Sequence, residues 1–145
     1  MSNLIPPAKT VLVAEDDTND RELFERAVLA LHPPVRFQFV RDGEEAINYL
    51  KGGRPFENRE ANPLPSLVLL DVRMPKVDGF QVLTWIRSQA EFRNLQVLVW
   101  ADSEFKYHVD RAKTAGADDI IKKPFGQDGL EEVVLEIVKR VQGRS

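Results

Sequence analysis

Three carboxylates and one lysine frame the chemistry open to this chain. Glu15 and Asp16 follow the apolar run Val11–Ala14, Asp71 closes the run Leu67–Leu70, and Lys123 stands just after Ile120–Ile121, before Pro124. Unit charges about 4 Å apart repel by roughly 4 kcal/mol at an effective dielectric near 20. Converging acids therefore need protonation, a cation, or both. The chain has no cysteine and two distant histidines, His32 and His108, so the candidate donor set is all oxygen. That favours a hard cation, and Mg²⁺ typically binds through a few carboxylates and several waters. A carboxylate beside Mg²⁺ can attack phosphorus and become an aspartyl phosphate. A lysine on the far side can neutralise a phosphoryl oxygen. Phosphoryl transfer asks mainly for positioning and charge neutralisation, and this set of residues offers both.

Such residues meet only if the segments between them bring them to one edge. Val11–Ala14 reads as a buried strand, and Leu23, Phe24, Ala27, Val28 and Leu31 recur at helical spacing until Pro33-Pro34. Val35–Val40 alternates as a strand covered on one side would. Asp42 is placed to cap a short helix, with Glu45 completing a capping-box-like start. Lys51–Pro65, with two glycines and three prolines, reads as a loop. Leu67–Leu70 forms a third strand, and Val82, Leu83 and Ile86 mark the next helix. Leu95–Trp100 forms a fourth strand, Ser103 is placed to cap the following helix, and Gly116 ends it. Ile120-Ile121 forms a fifth strand. Leu130, Val133, Val134, Ile137, Val138 and Val141 then make the clearest amphipathic helix.

Five strands each followed by a helix imply right-handed crossovers and a parallel sheet covered on both faces. The expected fold is α/β: a flavodoxin-like, doubly wound (βα)5 arrangement with strand order 2-1-3-4-5. In such a sheet the functional crevice lies at the C-terminal ends of the strands, beside the switch in strand order. Glu15, Asp16, Asp71 and Lys123 all fall there.

In order and spacing these features resemble the receiver domain of two-component response regulators. The resemblance runs from about Thr10 to Val141. It rests on Val-Leu-Val-Ala-Glu15-Asp16-Asp17, on Leu-Leu-Asp71-Val-Arg-Met-Pro75-Lys-Val-Asp78-Gly79, on Ala115-Gly116-Ala117 and on Lys123-Pro124-Phe125. It implies one receiver domain over residues 1–145, with a core of about 10–141. It implies Asp71 as phosphoacceptor, Glu15 and Asp16 as the acidic pair holding Mg²⁺ with Asp71, and the backbone carbonyl of Arg73 as a further metal ligand. Lys123 would contact the phosphoryl group, through a cis Lys123–Pro124 bond. The phosphoryl donor would be a sensor histidine kinase or phosphotransfer protein, and output would pass through a partner protein. The long loop before the third strand is most similar to single-domain regulators that partner phytochrome-type kinases. A homodimer is left open.

Two positions depart from the family pattern. The usual Thr/Ser switch position falls on Ala101 and the usual aromatic one on Ile120. Both halves of the familiar coupling are missing, which raises a second reading: a pseudo-receiver that binds partners with weak or no phosphorylation-dependent switching.

Other readings are weaker. A phosphatase of the haloacid dehalogenase type needs Asp-x-Asp directly after the first strand, whereas this chain has Glu15-Asp16-Asp17-Thr18. A nucleotide or flavin module needs a Gly-rich or hydroxyl-rich loop there, and this acidic segment would repel an anion. Taken singly, Asp17 and Asp20 suit a helix N-terminus, and Asp78-Gly79 a turn and helix start in which glycine tolerates unusual dihedrals. Trp85 reads as packing, and Trp100 either fills space near the site or turns outward. His32 and His108 read as solvent-facing, although Tyr107 and His108 lie on the fourth helix, a surface the family uses for partners. A net charge of −3 gives no reason to expect nucleic acid. No apolar run approaches the ~20 residues that span a bilayer, and Met1–Lys9 lacks a signal peptide's apolar core. A cytoplasmic signalling domain, not an enzyme, is the expectation.

Overall fold

The structure, a computed structural model, describes residues 8–102 and 105–143. Strands and helices alternate along the chain: β1 (Thr10–Ala14), α1 (Thr18–Leu31), β2 (Arg36–Val40), α2 (Gly43–Lys51) and β3 (Leu67–Asp71) come first. α3 (Gly79–Ser88), a 3-10 turn at Ala90–Phe92, β4 (Gln96–Ala101), α4 (Phe105–Ala115), β5 (Asp119–Lys122) and α5 (Gly126–Gln142) follow. All neighbouring strands are parallel, in the expected order β2-β1-β3-β4-β5.

β1, β3 and β4 are buried along their whole length, which is why they read as unbroken apolar runs rather than alternating ones. Their side chains feed two cores. On one face Leu12, Ala14, Val68, Leu70, Val97 and Val99 pack against α2, α3 and α4. On the other, Val11, Val13, Leu67, Leu69, Leu98 and Trp100 pack against α1 and α5. All six apolar positions expected on the last helix are buried. Burial of such a side chain is worth about 1.5–3 kcal/mol.

Carboxylates start the helices. Asp17 accepts the Asp20 amide at 2.9 Å and Asp42 the Glu45 amide at 2.8 Å. Each cap of this kind is worth about 1 kcal/mol. Glu45 does not close the box on Asp42; its carboxylate takes the Arg41 amide instead, at 2.9 Å. The reciprocal capping box is at α3, where Asp78 and Gln81 exchange side-chain-to-backbone bonds, both 2.9 Å. Gly79 is required for a different reason from the one expected. A Cβ there would collide with the Asp71 carbonyl, so the demand is close approach and not a positive φ. The expected Ser103 cap lies outside the described residues.

The loop between α2 and β3 is tied down rather than loose. Arg59 donates to the carbonyls of Tyr49 at 2.8 Å, Leu50 at 2.9 Å and Asn62 at 3.1 Å, and the Tyr49 hydroxyl donates to Pro63 O at 2.8 Å. The bonds to Tyr49 and Leu50 satisfy carbonyls at the end of α2. Two further expectations are corrected. His108 is buried, tilted against Phe80 at 5.5 Å, because α4 turns this position onto α3; His32 is exposed, at the C-cap of α1 with φ 44°. The cis bond among the described residues is Arg54–Pro55, and Lys123–Pro124 is trans, the generally preferred form. No helix of the described residues is long and apolar enough to cross a membrane.

Candidate functional site

The β1–α1 turn, the end of β3 and the end of β5 meet at the C-terminal edge of the sheet. Pairing of Ala14 with Leu70 puts the next residues, Glu15 and Asp71, side by side. Glu15 is wholly buried and Asp71 is 4% exposed, while Asp16 faces solvent. One carboxylate oxygen from each of the three lies within 4.8 Å of the others. Backbone bonds fix the acids: the Asp17 amide donates to Glu15 Oε2 at 3.1 Å, and the Arg73 amide to Asp71 Oδ1 at 3.0 Å. Arg21 steadies the turn by donating to Glu15 O at 2.7 Å.

Lys123 enters from the end of β5, where its amide donates to Ala101 O at 2.8 Å. Its Nζ lies 2.8 Å from Asp71 Oδ2, 3.0 Å from Glu15 Oε1 and 3.6 Å from Asp20 Oδ2. The lysine is thus shared among three acids. Asp20 was expected only to favour the α1 N-terminus; its place one turn after Asp16 was the available signal for this second contact.

One ammonium does not neutralise the cluster. Burial, then the hydrogen bond and charge of Asp71, push the Glu15 carboxyl up to about 8, with Lys123 pulling the other way. Asp16 is raised by burial and by the Asp71 charge. Burial alone would lower the Lys123 ammonium, but its bonds to Asp71 and Glu15 outweigh this and hold it above its usual range. At neutral pH Glu15 therefore keeps a proton beside Asp71. A partly buried, all-oxygen acid cluster whose Glu15 carboxyl is raised is a fitting donor set for a hard divalent cation, which would favour the ionised form.

A cleft of about 520 Å³ opens beside the acids, lined among others by Asp16, Arg73, Met74, Phe80 and Arg111. The Arg111 guanidinium stacks over the Phe80 ring at 4.2 Å. Ala101 is buried at the end of β4, and Ile120 packs on the same core. Neither offers a hydroxyl to the site. Trp100 turns inward, onto the α1 and α5 side.

The family model described as response regulator receiver domain matches residues 11–135. Among curated relatives, the probable methanogenesis regulatory protein FilR2 of Methanothrix harundinacea is 34% identical over 131 residues, covering 88% of this chain and 79% of that protein. The response regulator Rcp1 of Synechocystis is 28% identical, covering 95% of this chain and 97% of Rcp1. Among solved structures, the phosphorylated cyanobacterial phytochrome response regulator RcpA superposes with a TM-score of 0.82 at 27% identity, over 95% of this chain and 96% of RcpA. The Mn²⁺-bound form of Rcp1 superposes with a TM-score of 0.76 at 25% identity, over 90% of this chain and 92% of that one.

Proposed function

This chain belongs to the response regulator receiver family, and we propose that it takes a phosphoryl group on Asp71 and signals through a partner protein. The observation that carries the assignment is the meeting of Glu15, Asp16 and Asp71 within 4.8 Å, with Lys123 Nζ 2.8 Å from Asp71. An Asp71 carboxylate oxygen attacks phosphorus, and the bond to the donor's leaving group breaks as the new P–O bond forms. Lys123 neutralises a phosphoryl oxygen, and the Arg73 amide keeps the carboxylate oriented. Glu15, Asp16 and Asp71 would hold Mg²⁺, with the backbone carbonyl of Arg73 as a further ligand. When bound, the cation would screen the phosphoryl charge. The similarity to a Mn²⁺-bound regulator supports a divalent cation here.

The donor is a sensor histidine kinase or a phosphotransfer protein, and residues 1–145 act as one cytoplasmic receiver domain. The likeness to RcpA supports a donor of the phytochrome-linked kind. Ala101 and Ile120 favour a second reading, a pseudo-receiver that takes little phosphate or changes its surface little. Intact mass after incubation with acetyl phosphate tests the uptake step, and a surface that phosphorylation leaves unchanged would favour the second reading. A gain of one phosphoryl group that needs Mg²⁺ and is absent in Asp71→Asn is the expected result. No gain in a folded protein that binds Mg²⁺ would favour the pseudo-receiver.

A further inference from the structure

We infer that Trp100 is a positioning residue for the reaction: its ring is a platform that holds the Lys123 ammonium beside Asp71. The inference rests on the roles proposed above for Asp71 and Lys123. Lys123 Nζ lies 5.1 Å from the Trp100 ring centroid, inside the ~6 Å reach of a cation–π interaction. Such contacts strengthen when water is excluded. Here the ring is 1% exposed and the lysine side chain 16%.

The backbone fixes the ring at the level of the phosphoacceptor. Trp100 pairs with Asp71 across β3 and β4, and its carbonyl accepts the Val72 amide at 3.1 Å. The ring is braced by Phe24 of α1, T-shaped at 5.5 Å and 86°. Phe24 is itself held by Phe39 at 5.6 Å and Phe37 at 5.9 Å, both on β2. A cavity of about 50 Å³ lies against Leu23, Trp100, Lys123 and Pro124, so the lysine stem is not packed on every side.

Packing alone accounts poorly for an indole here. Nε1 is buried and reaches no protein acceptor, and an unsatisfied buried donor costs stability that phenylalanine or leucine would not. What indole adds is the aromatic face most attractive to a cation. That face also differs from the lysine's two closest partners, Glu15 at 3.0 Å and Asp71 at 2.8 Å; Asp20 is farther, at 3.6 Å. Glu15 and Asp71 are the groups that would bind the metal and the phosphoryl group, so their grip on Lys123 changes when either arrives. The ring takes part in neither event and keeps the ammonium in place through both.

Fluorination tests this with little change of shape: it drains negative potential from the ring face. Trp85, which lies in α3 and packs on Phe92, is first replaced in a Trp85→Phe background. Protein carrying tryptophan, 5-fluorotryptophan or 5,7-difluorotryptophan at position 100 is then compared. Two readouts are taken: the rate of phosphoryl uptake from acetyl phosphate, and ¹³C relaxation of the Lys123 ε-methylene in metal-free protein. The expected result is a stepwise fall in rate, about tenfold across the series, with growing motion of Lys123. Equal rates in a series that is phosphorylated would overturn the inference. A parent protein that takes no phosphoryl group would sink the proposed function instead. Lys123 motion would then decide for Trp100, and an unchanged series would overturn its role.

Discussion

Mg²⁺ binding should expel a proton from Glu15, and the pH dependence of that event can be worked from the site. The carboxyl stands at about 8 instead of its ordinary 4.5, because it is buried and shares its surroundings with Asp71. A metal ligand must be ionised. At pH 6.5 only about one site in thirty has Glu15 ionised before metal arrives; at pH 9 nearly all do. Apparent affinity should therefore rise about thirtyfold between those values, roughly 2 kcal/mol, and level off above. The proton count at pH 6.5 should be about one, falling to about half at pH 8. Calorimetric titration in buffers of different ionisation enthalpy reads this number directly. Folding follows with a defined sign. The folded, metal-free state holds a proton that the unfolded chain has lost, so this group's contribution falls as pH rises from about 4.5 to about 8. Mg²⁺ offsets that loss, and its increment in Tm should be larger at pH 8 than at pH 6.5. Glu15→Gln should bind more weakly and without proton release. A wild-type protein that binds Mg²⁺ at pH 6.5 and releases no proton would refute the reasoning, since Glu15 would then be ionised beforehand.

Three further outcomes test the scaffold. Gly79→Ala forces a methyl against the Asp71 carbonyl and should cost about 1–3 kcal/mol or more in urea unfolding, weakening Mg²⁺ binding with it. Ile137→Ala empties a fully buried position under α5 and should cost about 2–5 kcal/mol, while Leu135→Ala at a half-exposed position should stay within about 0.5 kcal/mol, both read from denaturant midpoints. Arg59→Ala removes the donor to the Tyr49 and Leu50 carbonyls; amides of residues 52–66 should exchange faster, with a stability loss of about 1–3 kcal/mol.

The inner strands were readable because buried parallel strands declare themselves as apolar runs, and the acids and Lys123 stood at the ends of β1, β3 and the more exposed β5. Helix starts were readable at Asp17 and Asp42, since a cap acts on residues three positions away. His108 was misplaced because its setting depends on how α4 rolls onto Phe80, a contact 28 positions distant in sequence. The steric need at Gly79 likewise depends on a neighbour that composition does not name.

By itself the sequence determined which groups reach the site: period and punctuation set the order of elements, and that order sends Glu15, Asp16, Asp71 and Lys123 to one edge. Tertiary structure alone decided how they bear on one another. The 2.8 Å and 3.0 Å contacts of Lys123, the proton kept on Glu15 and the ring of Trp100 beneath the ammonium are all set by packing between distant segments. Electrostatic energy depends on separation and burial, and neither quantity is written in the order of the residues.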